Sequence, residues 1–120
     1  MADRVLVLSW GQNVRGREQR GLEVFQEALT YYSELEASGR IEAYDVMLLA
    51  PNGPMSGAMV LHGTHAQLQT VAEDERFRRL IIEANLVVED LRMASGYSAE
   101  GIPQTLPLYA EAVGRVPQMA

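Results

Sequence analysis

The chain has 120 residues, a size at which one domain buries roughly two-thirds of the surface its unfolded form exposes. Hydrophobic residues make up 48% and charged residues 22%, the balance of an ordinary globular protein and not of a disordered or membrane chain. A net charge of −6 repels a polyphosphate, so nucleic acid is not an expected partner.

The absence of cysteine excludes disulfide staples, thiolate zinc sites, iron–sulfur clusters and thiol nucleophiles. All ten basic residues are arginine, which removes the lysine of Schiff-base enzymes and of P-loops. The first apolar run, residues 5–8, is too short for a secretion signal, so a cytoplasmic protein without a membrane partner is expected.

Residues 4–10 form a β-rich run that is apolar on both alternating sides: Val5 and Val7 on one, Leu6, Leu8 and Trp10 on the other. After a loop, Leu22, Phe25, Leu29, Tyr32 and Leu35 recur at three and four residues, which predicts an amphipathic helix over 17–38 that ends before Gly39. Residues 41–50 and 58–63 read as a second and third strand joined by Pro51-Asn-Gly-Pro-Met-Ser-Gly57. Thr64 and Gln67 have the spacing of a capping box. The helix behind it carries Leu68, Val71, Phe77, Leu80 and Ile81, broken at residues 73–76 into a kink or two shorter helices. Residues 86–94 read as the fourth strand, and 96–120 as a loop with a short helical segment at 108–113. The expectation is a single domain over 1–120, with a βαββαβ core over 1–95.

That element order puts both helices on one face of an antiparallel sheet and leaves the other face bare. In a monomer the strands would alternate apolar with polar, yet the first strand is apolar on both sides and the second carries Val46 and Leu48 beside Met47 and Leu49. A second copy of the chain is the simplest cover. Met59 and Leu61 suit the helix layer, while Val60, His62, Asp90 and Arg92 fall on the opposite parity.

Element order and three local runs carry a family resemblance: Gly57-Ala-Met-Val-Leu-His-Gly-Thr64, Glu75-Arg-Phe-Arg-Arg-Leu80 and Leu86-Val-Val-Glu-Asp-Leu91. Over residues 4–95 the chain resembles the dimeric α+β barrel superfamily of ferredoxin-like folds, and within it the small uncharacterised relatives of antibiotic-biosynthesis monooxygenases. The resemblance implies an α+β fold and a homodimer. It transfers no catalytic residue, because the branches share no catalytic motif.

His62 and His65 have H-x-x-H spacing, but one falls in a strand and the other in a helix's first turn, so no metal is expected. An enzyme on this fold that used no cofactor would need an apolar pocket with one poised acid or base, for which His62, Asp90 and Asp45 are the candidates. Arg92 would hold an anionic oxygen, and Trp10 or Tyr44 would give a flat wall. In the competing reading these aromatics are packing and Arg92 pairs with a carboxylate. Arg15, Arg17 and Arg20 at the start of the first helix form either an anion site or a solvated basic loop.

Three functions compete. The first is a homodimer that binds a small apolar or aromatic molecule between its sheets. The second is a cofactor-independent monooxygenase or isomerase, and the third a protein–protein interaction module.

Overall fold

The structure is a computed structural model that describes residues 2–117 and 119. Its elements are β1 (Arg4–Trp10), α1 (Glu18–Ala37), β2 (Ala43–Leu48), β3 (Gly57–Gly63), α2 (His65–Glu73), α3 (Glu75–Val87), β4 (Arg92–Tyr97) and α4 (Gly101–Gly114). The four strands form one sheet in the order β2-β3-β1-β4, with every neighbouring pair antiparallel.

Register sorts the strand residues by face. Leu6 lies opposite Leu61, and Leu8 opposite both Met59 and Met93, so these side chains share one side of the sheet. Leu6, Leu8, Met59 and Leu61 are buried there against Val24, Ala28, Tyr31, Tyr32 and Leu35 of α1 and Phe77, Leu80 and Val87 of α3. Val5, Val7, Val60, His62, Asp45 and Met47 occupy the other parity, and none of them belongs to the buried core. The expected layering therefore holds: helices on one side, and a largely apolar bare face on the other.

Local chemistry sets the element ends. Thr64 accepts from the Gln67 backbone N–H while the Gln67 side chain accepts from the Thr64 N–H, which is the expected capping box. Asp74 has extended backbone geometry and separates α2 from α3, and its side chain accepts from the Arg76 N–H to open α3. The break expected at residues 73–76 is thus two helices.

The fourth strand lies further along the chain than expected. Leu86 and Val87 belong to α3, because Val87 extends the helical series Phe77, Leu80, Ile81 and Ala84 by another turn and is buried with it. β4 is instead the weakly apolar run Arg-Met-Ala-Ser-Gly-Tyr, so the βαββαβ core runs to Tyr97 and not to residue 95. The helical segment expected at 108–113 is part of the longer α4, which contains both Pro103 and Pro107.

A candidate ligand cavity between sheet and helices

The sheet and α1 do not close completely on each other. Between them lies a cavity of about 310 Å³, floored by Leu8, Trp10 and Met59 and walled by Phe25, Ala28 and Tyr32 of α1 and Ala84 of α3. Leu22 and Leu48 stand at its rim, 51% and 69% exposed. The volume falls at the small end of ligand pockets, enough for a bicyclic molecule.

Trp10 is held by its neighbours on two sides. Its ring meets Phe25 edge-on, with centroids 6.1 Å apart. On the sheet it lies over Gly57, where an added Cβ would come within 2.5 Å of Trp10 Cζ2 and 2.7 Å of the Met47 carbonyl. Only a residue without a side chain leaves that seat open.

Tyr32 is 1% exposed and lines the cavity, yet no described residue hydrogen-bonds its hydroxyl. Its two tyrosine neighbours differ in this respect. Tyr31 donates to Asp74 Oδ2 at 2.5 Å, and the Tyr44 hydroxyl lies 2.7 Å from Ser33 Oγ. Burial raises the Tyr32 phenol above the usual tyrosine range, so it stays protonated and available as a donor. The other lining residues with a polar side-chain group are Trp10, Asn13 and Ser56.

The candidates read from the sequence scatter over the molecule. Trp10 and Tyr44 lie on the helix side, Trp10 in the cavity and Tyr44 packed against Tyr32 with centroids 6.1 Å apart. Neither forms a wall in a space between sheets. His62 is on the bare face, where its Nε2 lies 2.7 Å from Asp45 Oδ2; a carboxylate only accepts, so the proton sits on Nε2.

Asp90 is not in a strand. It occupies the bend before β4 with φ of 54°, and its carboxylate approaches Gly11. Arg92 is on the bare face opposite Ser9, whereas His62 is opposite Val5. The offset is about 13 Å along the strands and about 10 Å across them, which separates Arg92 from His62 by about 16 Å. These residues do not form one site.

The arginine cluster also disperses. Arg17 donates to the Leu86 carbonyl at the end of α3, and Arg20 pairs with Glu23, Glu27 and Glu83. His65 opens α2 and is exposed, and among the described residues no group of three or more histidine, aspartate or glutamate side chains is placed to hold a metal.

Tyr32 had been visible in the sequence only as one member of the apolar stripe of α1. A hydroxyl inside such a stripe is the available signal, because a buried tyrosine normally finds a partner.

No family model matches the sequence, and no curated protein matches it. Solved structures do match the fold. The chain is similar to a dimeric protein of unknown function with a ferredoxin-like fold from Bacteroides fragilis, at 12% identity and a TM-score of 0.59, over 79% of this chain and 96% of that one. It is similar to PA3566 from Pseudomonas aeruginosa, at 13% identity and a TM-score of 0.61, over 82% and 96%. A third is SnoaB, a cofactor-independent oxygenase from Streptomyces nogalater, at 11% identity and a TM-score of 0.53, over 85% and 99%. The likeness shows a ferredoxin-like α+β fold. Among the described residues no helix is long and apolar enough to cross a membrane.

Proposed function

We propose that the protein is a homodimer that binds a small, planar, aromatic molecule carrying an oxygen acceptor, in the cavity between sheet and helices of each protomer. One observation carries the reading: an apolar cavity of about 310 Å³ lined by Tyr32, whose hydroxyl bonds to no described residue. A ligand carbonyl or ether oxygen in the cavity would accept from the Tyr32 hydroxyl, a neutral hydrogen bond worth about 1 kcal/mol. Phe25 and Trp10 supply the aromatic surface. The B. fragilis protein of the same fold is dimeric, and the bare face of this sheet offers Val5, Val7 and Val60 for a second copy to cover.

SnoaB has this fold and is an oxygenase that needs no cofactor. In such chemistry the cavity would hold the substrate and Tyr32 would donate to its oxygen. His62 and Asp90 are not among the residues that line the cavity, so proton abstraction would fall to another base. Binding is the reading the cavity wall supports.

Trp10 is the chain's single tryptophan, which makes its emission a reporter on the cavity. Titration with 1-tetralone, a bicyclic aromatic ketone, is expected to change that emission saturably. Tyr32→Phe should weaken binding about fivefold, the value of one neutral hydrogen bond, and Ala84→Phe should fill the space and abolish it. A linear, unsaturable response that both variants share would overturn the assignment.

A further inference from the structure

Helix α4 begins where β4 ends. It is tied to its own domain at its first turn, where Gly101 is buried against the Asp3 carbonyl so closely that a Cβ would stand 2.4 Å from that oxygen, and Ser98 N–H donates to the same carbonyl. Beyond that turn the helix leaves the domain. The radius of gyration is 16.9 Å, against about 14 Å for a compact chain of this length.

The departing helix is not polar. Ile102, Leu106 and Tyr109 are 45%, 57% and 69% exposed, and Val113 continues their spacing. The intervals are four, three and four residues, which at about 100° per residue puts all four side chains within a stripe about 60° wide. That is the pattern of a helix whose seam packs on another helix. The charged pair near the end, Arg115 donating to Glu111 at 2.6 Å, is satisfied within α4 and leaves the stripe free of charge. A helix of 14 residues with an internal proline, Pro107, has little stability of its own in water, so the seam needs a cover to hold it.

We infer that α4 packs on α4 of a second copy, and that this pairing completes the dimer the sheet face begins; the inference rests on the homodimer reading above. Area is the first argument. Four strands of six or seven residues give the bare face a footprint of about 19 Å by about 21 Å, small beside the ~800 Å² of accessible surface per partner that a stable interface buries. Two seams about 20 Å long enlarge that contact. Continuity is the second. α4 extends directly from β4, the edge of the sheet that carries the bare face, and a two-fold axis parallel to the strands brings both Tyr97 ends to the same end of the sandwich. Chemistry is the third, because an uncharged apolar seam is complementary to itself, as an isologous contact requires.

The test uses the full chain. Leu106→Glu with Tyr109→Glu should weaken dimerisation in sedimentation equilibrium at least tenfold, with the far-ultraviolet circular dichroism of the core retained. Tyr109 lies near the middle of the stripe, so it meets its own copy whether the helices run parallel or antiparallel. The chain has no cysteine, and a single Tyr109→Cys should therefore form a disulfide-linked dimer under mild oxidation at least ten times faster than Gln104→Cys, which is on the far side of α4. Equal rates would overturn the helix-on-helix contact, and so would an unchanged dimer in the double variant. Val7→Glu on the bare face separates the two claims. If it disperses the dimer while the α4 double variant does not, the α4 pairing fails and the sheet reading stands. If the dimer survives Val7→Glu but not the α4 double variant, the sheet reading fails and the α4 pairing stands.

Discussion

Trp10 reaches its place only because position 57 has no side chain, and the cavity owes its floor to that pair. Gly57→Ala would push a methyl group to within 2.5 Å of Trp10 Cζ2 and 2.7 Å of the Met47 carbonyl. The backbone oxygen cannot swing aside as a flexible side chain can, so the indole and the β2–β3 spacing must both shift. The expected cost is about 1–3 kcal/mol, the usual penalty of overpacking, read as a lower midpoint in urea with an altered Trp10 emission. An unchanged midpoint and emission would show that the indole is not seated by Gly57. Sequence parity correctly grouped Trp10 with Leu6 and Leu8. It did not say which side of β1 the helices cover, because that strand is apolar on both sides and the pattern lacks a polar face for orientation. Hence Trp10 and Tyr44 were expected beside His62 and lie across the sheet from it. An unpartnered hydroxyl such as that of Tyr32 is a property of three-dimensional neighbours, and periodicity carries no trace of it.

At the scale of elements, the joint between α2 and α3 is a small polar assembly hung on one carboxylate. Asp74 accepts from Tyr31 on α1 and from the Arg76 N–H, and Arg76 in turn lies 4.7 Å above the Tyr31 ring and reaches Glu34 of α1. The Tyr31 hydrogen bond is the main reason that the Asp74 carboxyl titrates below its ordinary range. A lowered folded value means that the ionised form stabilises the fold. This contribution is fully present above the unfolded carboxylate value of about 3.9 and is lost as pH falls through the lower folded value. Asp74→Ala should therefore cost about 1 kcal/mol or more at pH 7, as a lost helix cap does. Its difference from the unaltered chain in thermal midpoint should shrink below about pH 4. A difference that is constant between pH 7 and pH 3 would remove the ionised carboxylate from the explanation. This joint was legible because a run of four charged residues interrupts the apolar stripe, and the capping box was legible because it needs only two residues three apart. β4 was not. Residues 86–88 are strongly apolar and two of them, Val87 and Val88, are β-branched, but Val87 also completes a helical turn, and packing on the core decided for the helix. The true strand is held by its long register with β1, a pairing between residues 83 to 93 positions apart that no local pattern encodes.

The whole molecule presents two apolar surfaces that the single chain leaves open, the bare sheet face and the seam of α4. If both are covered by a second copy, folding and association are linked, and the thermal midpoint must rise with protein concentration. The expected result is a rise of several degrees over a hundredfold range of concentration, with a single transition, since a dimer that dissociates as it unfolds gains from mass action. Val7→Glu should flatten the dependence and lower the midpoint at high concentration toward its dilute value, because a charge then sits where Val5, Val7 and Val60 would meet the second sheet. Trp10→Glu acts on the opposite side of the sheet from Val7→Glu. Trp10 faces Phe25 and the helices, so the substitution puts a carboxylate at a partly buried site against the core and should lower the midpoint at every concentration instead of yielding a monomer of unaltered stability. A Trp10→Glu monomer of unaltered stability would contradict the placement of the indole under the helix layer. A midpoint independent of concentration in the unaltered chain would remove the second copy from both open surfaces at once, and the apolar residues of the sheet and of α4 would then need a different partner.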